Sequence, residues 1–115
     1  MTYIMQLHEA PFAAVKSGAK TIELRLNDEK RRRIKIGEFI TFLSREDSAQ
    51  SLTVKVTALH PFASFQELYQ VLPLDKCGYS QEEISTASPE DMNIYSTAEE
   101  MERYGVVGIE FELLT

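Results

Sequence analysis

The stretch Gly18-Ala19-Lys20-Thr21-Ile22-Glu23-Leu24-Arg25-Leu26 decides how the chain is read. Successive side chains of a strand point to opposite faces. Ile22, Leu24 and Leu26 therefore fall on one side, and Thr21, Glu23 and Arg25 on the other. Lys20 to Leu26 is predicted as a strand with one apolar and one polar face. Gly18 allows a tight turn into it. Upstream, Ala10 to Ser17 reads as a short helix, with Pro11 in its first turn, Phe12 and Val15 on one face and Gly18 as its stop. So short a helix draws its stability from packing.

Tyr3 to Leu7 is a further strand. Asn27 to Arg33, charged throughout, reads as a turn or short helical segment, and Gly37 permits a turn before a strand over Phe39 to Leu43. Arg45 to Ser51 is a polar hairpin connection. Leu52, Val54 and Val56 then alternate with Thr53, Lys55 and Thr57 in a strand that runs to Leu59, where Pro61 discourages further central pairing. Ser64 and Glu67 have the spacing of a capping box for a helix carrying Phe65, Leu68, Tyr69 and Leu72. Pro73 to Tyr79 is a break. Ser80 to Tyr95, divided by Pro89, reads as short helical turns. Thr97 and Glu100 form another capping box, for a helix that ends near Tyr104 and is closed by Gly105. Val106 to Leu114 is the last strand, with Val107, Ile109, Phe111 and Leu113 on one face.

These make about five strands and three or four short helices. Their order is not a repeated strand–helix–strand unit, which excludes a doubly wound sheet. The expected architecture is α+β: a curved, mixed but mostly antiparallel sheet or small β-barrel with peripheral short helices. The 115 residues suit one domain, 1–115, large enough to bury a core without disulfide or metal staples. No internal repeat or interdomain linker interrupts it.

The formal charge of -6 excludes a wholly basic nucleic-acid coat protein, but its distribution is uneven. Lys16 to Lys35 holds eight basic and three acidic residues, whereas Pro61 to Thr115 holds two basic and eleven acidic ones. An anionic partner should meet the first third. Cys77 is the sole cysteine, so an internal disulfide is excluded and a reducing compartment is expected. No apolar run approaches the roughly 20 residues of a membrane span, and no secretion-signal pattern opens the chain. The expected location is the cytoplasm, with no membrane partner.

Three groups of residues carry candidate chemistry. On the polar strand face, Lys20, Thr21, Glu23 and Arg25 present an ammonium, a hydroxyl, a carboxylate and a guanidinium. Such a set can recognise a base edge and its phosphate; the alternative is an outer strand face with a structural Glu–Arg pair. Lys30, Arg31, Arg32 and Arg33, with Lys35 beyond, repel one another unless phosphate or the nearby Asp28 and Glu29 offset them. His8, where a strand meets a helix, sits at an expected pocket rim and is a candidate general base or ligand contact. His60 shares that chemistry without that placement. Two histidines and one cysteine make no recognised zinc series, so no metal or cofactor is expected. Gly105 and Gly108 lack the spacing and lysine of a phosphate loop. Tyr69, Tyr79, Tyr95 and Tyr104 are candidates for stacking on a base or for core and rim positions.

The run from Pro11 to Phe42 resembles the ASCH domain. The likeness rests on Phe12, Gly18, Lys20-Thr21, Glu23-Leu24-Arg25-Leu26-Asn27-Asp28, Lys30-Arg31 and Ile34-x-x-Gly37-Glu38-x-Ile40-x-Phe42. Tyr104 to Ile109 resembles the last strand of compact members. The resemblance implies a PUA-like β-barrel with a cleft near the first helix and the Gly-x-Lys strand. It also implies binding of RNA or a nucleotide-like small molecule. Some bacterial members are amidohydrolases acting on N4-acetylated cytidine, and others resemble ribonucleases. The family's front lysine matches Lys20 and its following arginine matches Arg25. The amidohydrolase pattern has threonine where this chain has Glu23, and it uses a later glutamate for which Glu67 is the candidate. If the chain is an enzyme, Lys20 and Glu23 are its first candidates for catalysis. A third expectation is a protein-interaction module using the acidic helical face.

Overall fold

The computed structural model describes residues 2–47, 49–88 and 97–114. The Pro89 break and Tyr95 lie outside them. The elements run β1 (Thr2–Leu7), α1 (Glu9–Ser17), β2 (Ile22–Leu26), α2 (Glu29–Arg32), β3 (Phe39–Ser44), β4 (Ser51–Phe62), α3 (Phe65–Val71), α4 (Gln81–Thr86), α5 (Ala98–Tyr104) and β5 (Val106–Leu113). The strands form one curled half-barrel sheet in the order β1-β3-β4-β5-β2. The β1–β3 pair is parallel and the other three pairs are antiparallel. The expected α+β architecture is present. Its edges are β1 and β2, the strands on either side of α1.

Local chemistry sets the boundaries. Gly18 ends α1 at φ 86°, a left-handed conformation suited to glycine, and its amide donates to the Val15 carbonyl. Thr97 and Glu100 form the expected reciprocal capping box at α5, and Ser80 and Glu83 form another at α4. At α3 only half the box exists. Ser64 Oγ accepts from the Glu67 amide, but Glu67 Oε2 turns to the Ala63 amide.

Pro61 corrects the predicted end of β4, which continues to Phe62. The pairing with β3 stops at Lys55, whereas that with β5 runs on to Phe62, through Pro61 opposite Val107. Beyond Val56 the strand has a partner on one side only, and proline is tolerated on such an edge.

Two apolar clusters lie on opposite sides of β2 and β5. One fills the concave side of the sheet beneath α1 and includes Phe12, Val15, Ile40, Phe42, Val54, Ile109 and Phe111. The other packs Ile22, Leu24 and Val106 against Phe65, Leu68 and Leu72 from α3 and its end. Gly108 makes that contact close: a Cβ there would stand 2.6 Å from Leu72 Cδ1. β2 therefore sends its apolar residues outward to α3.

Residues directly opposite across a strand pair share a face. Glu23 stands opposite Ile109, and Arg25 opposite Val107. Both Ile109 and Val107 belong to the concave cluster. The polar face of β2 is thus the inner face of the half-barrel. Polar residues occupy it where the sheet ends, and a cavity lies there.

Candidate functional site

The cavity is about 570 Å³ and lies at the seam between the two edge strands, lined by Gln6, Leu7 and His8 on one side and by residues Glu23 to Leu26 on the other. Pockets that hold small ligands span about 300–1,000 Å³. Lys20 reaches the cavity from the turn before β2. Its amide donates to the Ala14 carbonyl, and the next two amides, of Thr21 and Ile22, both donate to the carbonyl of Lys76. The loop after α3 is thereby strapped to the start of β2. Gly78 in that loop, at φ 101°, lies flat on the Lys20 side chain, where a Cβ would come within 3.2 Å of Lys20 Cδ.

Three charges meet on this floor. Lys20 Nζ is 2.8 Å from Glu23 Oε1. Arg25 donates to Glu23 Oε2 through Nε at 3.2 Å and Nη2 at 3.0 Å. Nη2 also donates to the Gln6 carbonyl at 3.1 Å, so Arg25 bridges β2 to β1 across the seam. Lys20 is 8% exposed and Glu23 4%. Burial alone would raise the Glu23 carboxyl, but the charges and hydrogen bonds of Lys20 and Arg25 outweigh it and hold the group below the usual carboxylate range.

Such an arrangement is costly. Withdrawing ions from water costs several kcal/mol each, and a well-packed apolar replacement is often at least as stable. Stability alone therefore gives the triad no clear advantage over apolar packing. Among the described residues, one of the three hydrogens on Lys20 Nζ meets Glu23, and the two on Arg25 Nη1 have no hydrogen-bond partner.

The ASCH domain model matches residues 5–115. The chain belongs to the ASCH family. Two solved structures cover 99% of this ASCH domain: the hypothetical protein PH0355, at 32% identity and TM-score 0.78 over 100% of its own chain, and protein PF0455 from Pyrococcus furiosus, at 34% identity and TM-score 0.73 over 98% of its own. A mutant of ZmASCH from Zymomonas mobilis shares the fold at 12% identity and TM-score 0.68, covering 96% of this chain and 68% of that one. No curated protein matches the chain. The half-barrel sheet with its short helices is the PUA-like fold expected of an ASCH domain.

The remaining candidates divide. His8 lines the cavity of this ASCH domain, with Nδ1 3.5 Å from Glu46 Oε1 and Nε2 3.4 Å from Arg45 Nη1. Arg31 lines it too, paired through Nη1 with Asp28 Oδ2 at 2.8 Å, while its buried Nε has no hydrogen-bond partner among the described residues. Lys30, Arg32 and Arg33 are exposed and outside the cavity. Arg32 is a structural tie, donating to the carbonyls of Asn27 at 2.7 Å and Tyr104 at 2.9 Å. Thr21 is also outside the lining. Its amide donates to Lys76 and its carbonyl accepts from Phe111. Glu67 caps the approach to α3 and does not join Lys20. His60 bonds Glu110 at 2.9 Å, away from the cavity. Cys77 lines the cavity, but burial pushes its thiol up to about 11, which leaves it inert as a nucleophile.

Tyr79, one of the tyrosines expected at a stacking or rim position, lines the cavity, and its hydroxyl meets that of Tyr69. Sequence reasoning missed other parts of the wall: Phe65 adds aromatic surface. Arg45, Glu83 and Glu100 add charge. Ser80-x-x-Glu83 has the same capping signature as Thr97-x-x-Glu100, but the signature reports a helix start and not what faces it.

Proposed function

We propose that this ASCH domain binds RNA or a nucleotide-like molecule by taking one nucleobase into the seam cavity. The carrying observation is the Lys20–Glu23–Arg25 triad on the cavity floor, with Lys20 and Glu23 buried and Arg25 half-buried. A base edge alternates donors and acceptors, and a floor with a carboxylate between two cations offers both within a few ångströms. Phe65 and Tyr79 supply apolar surface beside it, which suits a base face. The exposed Lys30, Arg33 and Lys35 lie in the basic third of the chain and suit phosphates of a longer strand rather than the base. Calorimetric titration of the ribonucleosides and short single-stranded RNA into native protein and into the double variant Lys20→Met, Glu23→Gln tests this. The reading predicts micromolar-to-millimolar binding to the native protein and at least a tenfold loss in the variant with its circular dichroism unchanged. Equal affinities would remove it.

A second reading is hydrolysis of an amide on a modified nucleoside such as N4-acetylcytidine. Its observation is the 2.8 Å contact between Lys20 Nζ and Glu23 Oε1 at the cavity floor, an ammonium and a carboxylate close enough to exchange a proton during attack on a carbonyl. Incubation with N4-acetylcytidine reads out cytidine and acetate. Turnover lost in Glu23→Gln would support it, and no turnover by native protein would end it.

A further inference from the structure

Among the described residues, four cationic side chains (Lys20, Arg25, Arg31, Arg45) and four carboxylates (Glu23, Asp28, Glu83, Glu100) line the cavity. Their pairing is uneven. Glu23 answers both Lys20 and Arg25, and Asp28 answers Arg31, so these five groups leave one positive charge. Arg45 adds a second. Neither Glu83 nor Glu100 forms a salt bridge with a described residue. Together they bring the lining from a surplus of two positive charges to balance.

Both are third residues of short helices. Glu83 Oε1 accepts from the Ser80 amide at 2.9 Å. Glu100 Oε1 accepts from the amide and hydroxyl of Thr97, each at 3.1 Å. A capping box is served by glutamine as well as by glutamate. The caps therefore account for the shape of these side chains but not for their charge. At Glu83 the bonds from Ser80 hold the carboxyl below its usual range, so that charge is present throughout the neutral pH region.

We infer that Glu83 and Glu100 set the charge selectivity of the cavity, cancelling the pull its cations would otherwise exert on a phosphate, so that an uncharged nucleoside binds at least as well as its phosphorylated form. The inference rests on reading the cavity as a nucleobase site. A cavity with two surplus cations would favour a nucleotide through its phosphate, and the two carboxylates cancel that attraction. Even with the dielectric constant of bulk water, two unit charges about 10 Å from a phosphate dianion change its affinity roughly tenfold at low ionic strength. The effect shrinks as salt shortens the screening length to about 10 Å at 0.1 M.

The test compares each ribonucleoside with its 5′-monophosphate by calorimetry at low salt, using native protein and the double variant Glu83→Gln, Glu100→Gln. Glutamine keeps both caps, so the fold is retained. Glu82→Gln, Glu99→Gln is the control: it removes the same charge from the same two helices at exposed positions outside the cavity. The expected result is that a monophosphate has no advantage over its nucleoside in the native protein. The Glu83, Glu100 variant should favour the monophosphate about tenfold more than the native protein does, less so at high salt, and the control should match the native protein. Three results overturn the inference while leaving the nucleobase reading intact: a native protein that favours the monophosphate, a ratio untouched by the Glu83, Glu100 variant, or the same change in the control. If native protein binds no nucleoside or nucleotide, the nucleobase reading fails and this inference with it.

Discussion

β2 and α2 are adjacent in the chain, both rich in charge, and opposite in what they do with it. In β2, Glu23 is buried between Lys20 and Arg25 beneath a cavity. In α2 and at its C-cap, Lys30 and Arg33 are exposed, Arg32 holds backbone carbonyls and Arg31 holds Asp28. The local charge surplus that pointed to an anionic partner is therefore reduced to a single positive charge on the cavity floor. Two of its cations are spent on one carboxylate there, and the charge free to meet phosphate sits outside. What the contrast teaches is that a basic segment in sequence separates into a cavity floor and a solvated face once the fold decides which residues lose water.

The largest expected effect breaks the buried side of this comparison. Glu23→Ala leaves Lys20 enclosed without its counter-ion, and losing one partner of a buried pair costs about 3–5 kcal/mol. Urea denaturation should show it, whereas Arg33→Ala should stay within about 0.5 kcal/mol of native. The next is pH. Because the folded Glu23 carboxyl lies below its ordinary value, its stabilisation is full above the ordinary carboxylate range and is lost as pH falls through the folded value. The urea midpoint of the native protein should therefore drop more steeply on acidification than that of Lys20→Met, Glu23→Gln. Subtracting one profile from the other cancels the shared exposed carboxylates, Glu83 among them. A third, smaller effect probes the strap over the lysine. Gly78→Ala places a side chain at φ 101° and against Lys20, and should cost about 1–2 kcal/mol while shifting the Lys20 and Glu23 resonances. The smallest falls on the solvated side. Lys30→Ala, Arg33→Ala should leave stability and nucleoside affinity unchanged, and should lower the salt slope of RNA binding by about one to two.

Much of this was legible in the sequence for physical reasons. The alternation in β2 and β5, the Gly18 stop and the Thr97 capping box are local signals, and the structure keeps them. Lys20, Glu23 and Arg25 were also legible as a group, because period two places Glu23 and Arg25 together and the turn delivers Lys20. The burial of Lys20 and Glu23 was not. A polar strand face reads as solvent-facing unless one knows that β2 is the edge of a half-barrel and that α3 covers its other side. The extension of β4 through Pro61 was hidden likewise, since nothing local says that β3 stops pairing at Lys55. Arg45, Tyr79, Glu83 and Glu100 reach the cavity from four separate segments, and only the tertiary fold brings them there.

The most direct test of the central claim is an amide and side-chain NMR titration of the native protein with ribonucleosides. The account predicts shifts confined to the cavity: the Arg25 side chain, the Gly78 and Tyr79 amides and the neighbourhood of Glu23, with the exposed Lys30 and Arg33 unmoved. Saturable shifts centred on α2, or none in the β2 triad at millimolar ligand, would contradict it.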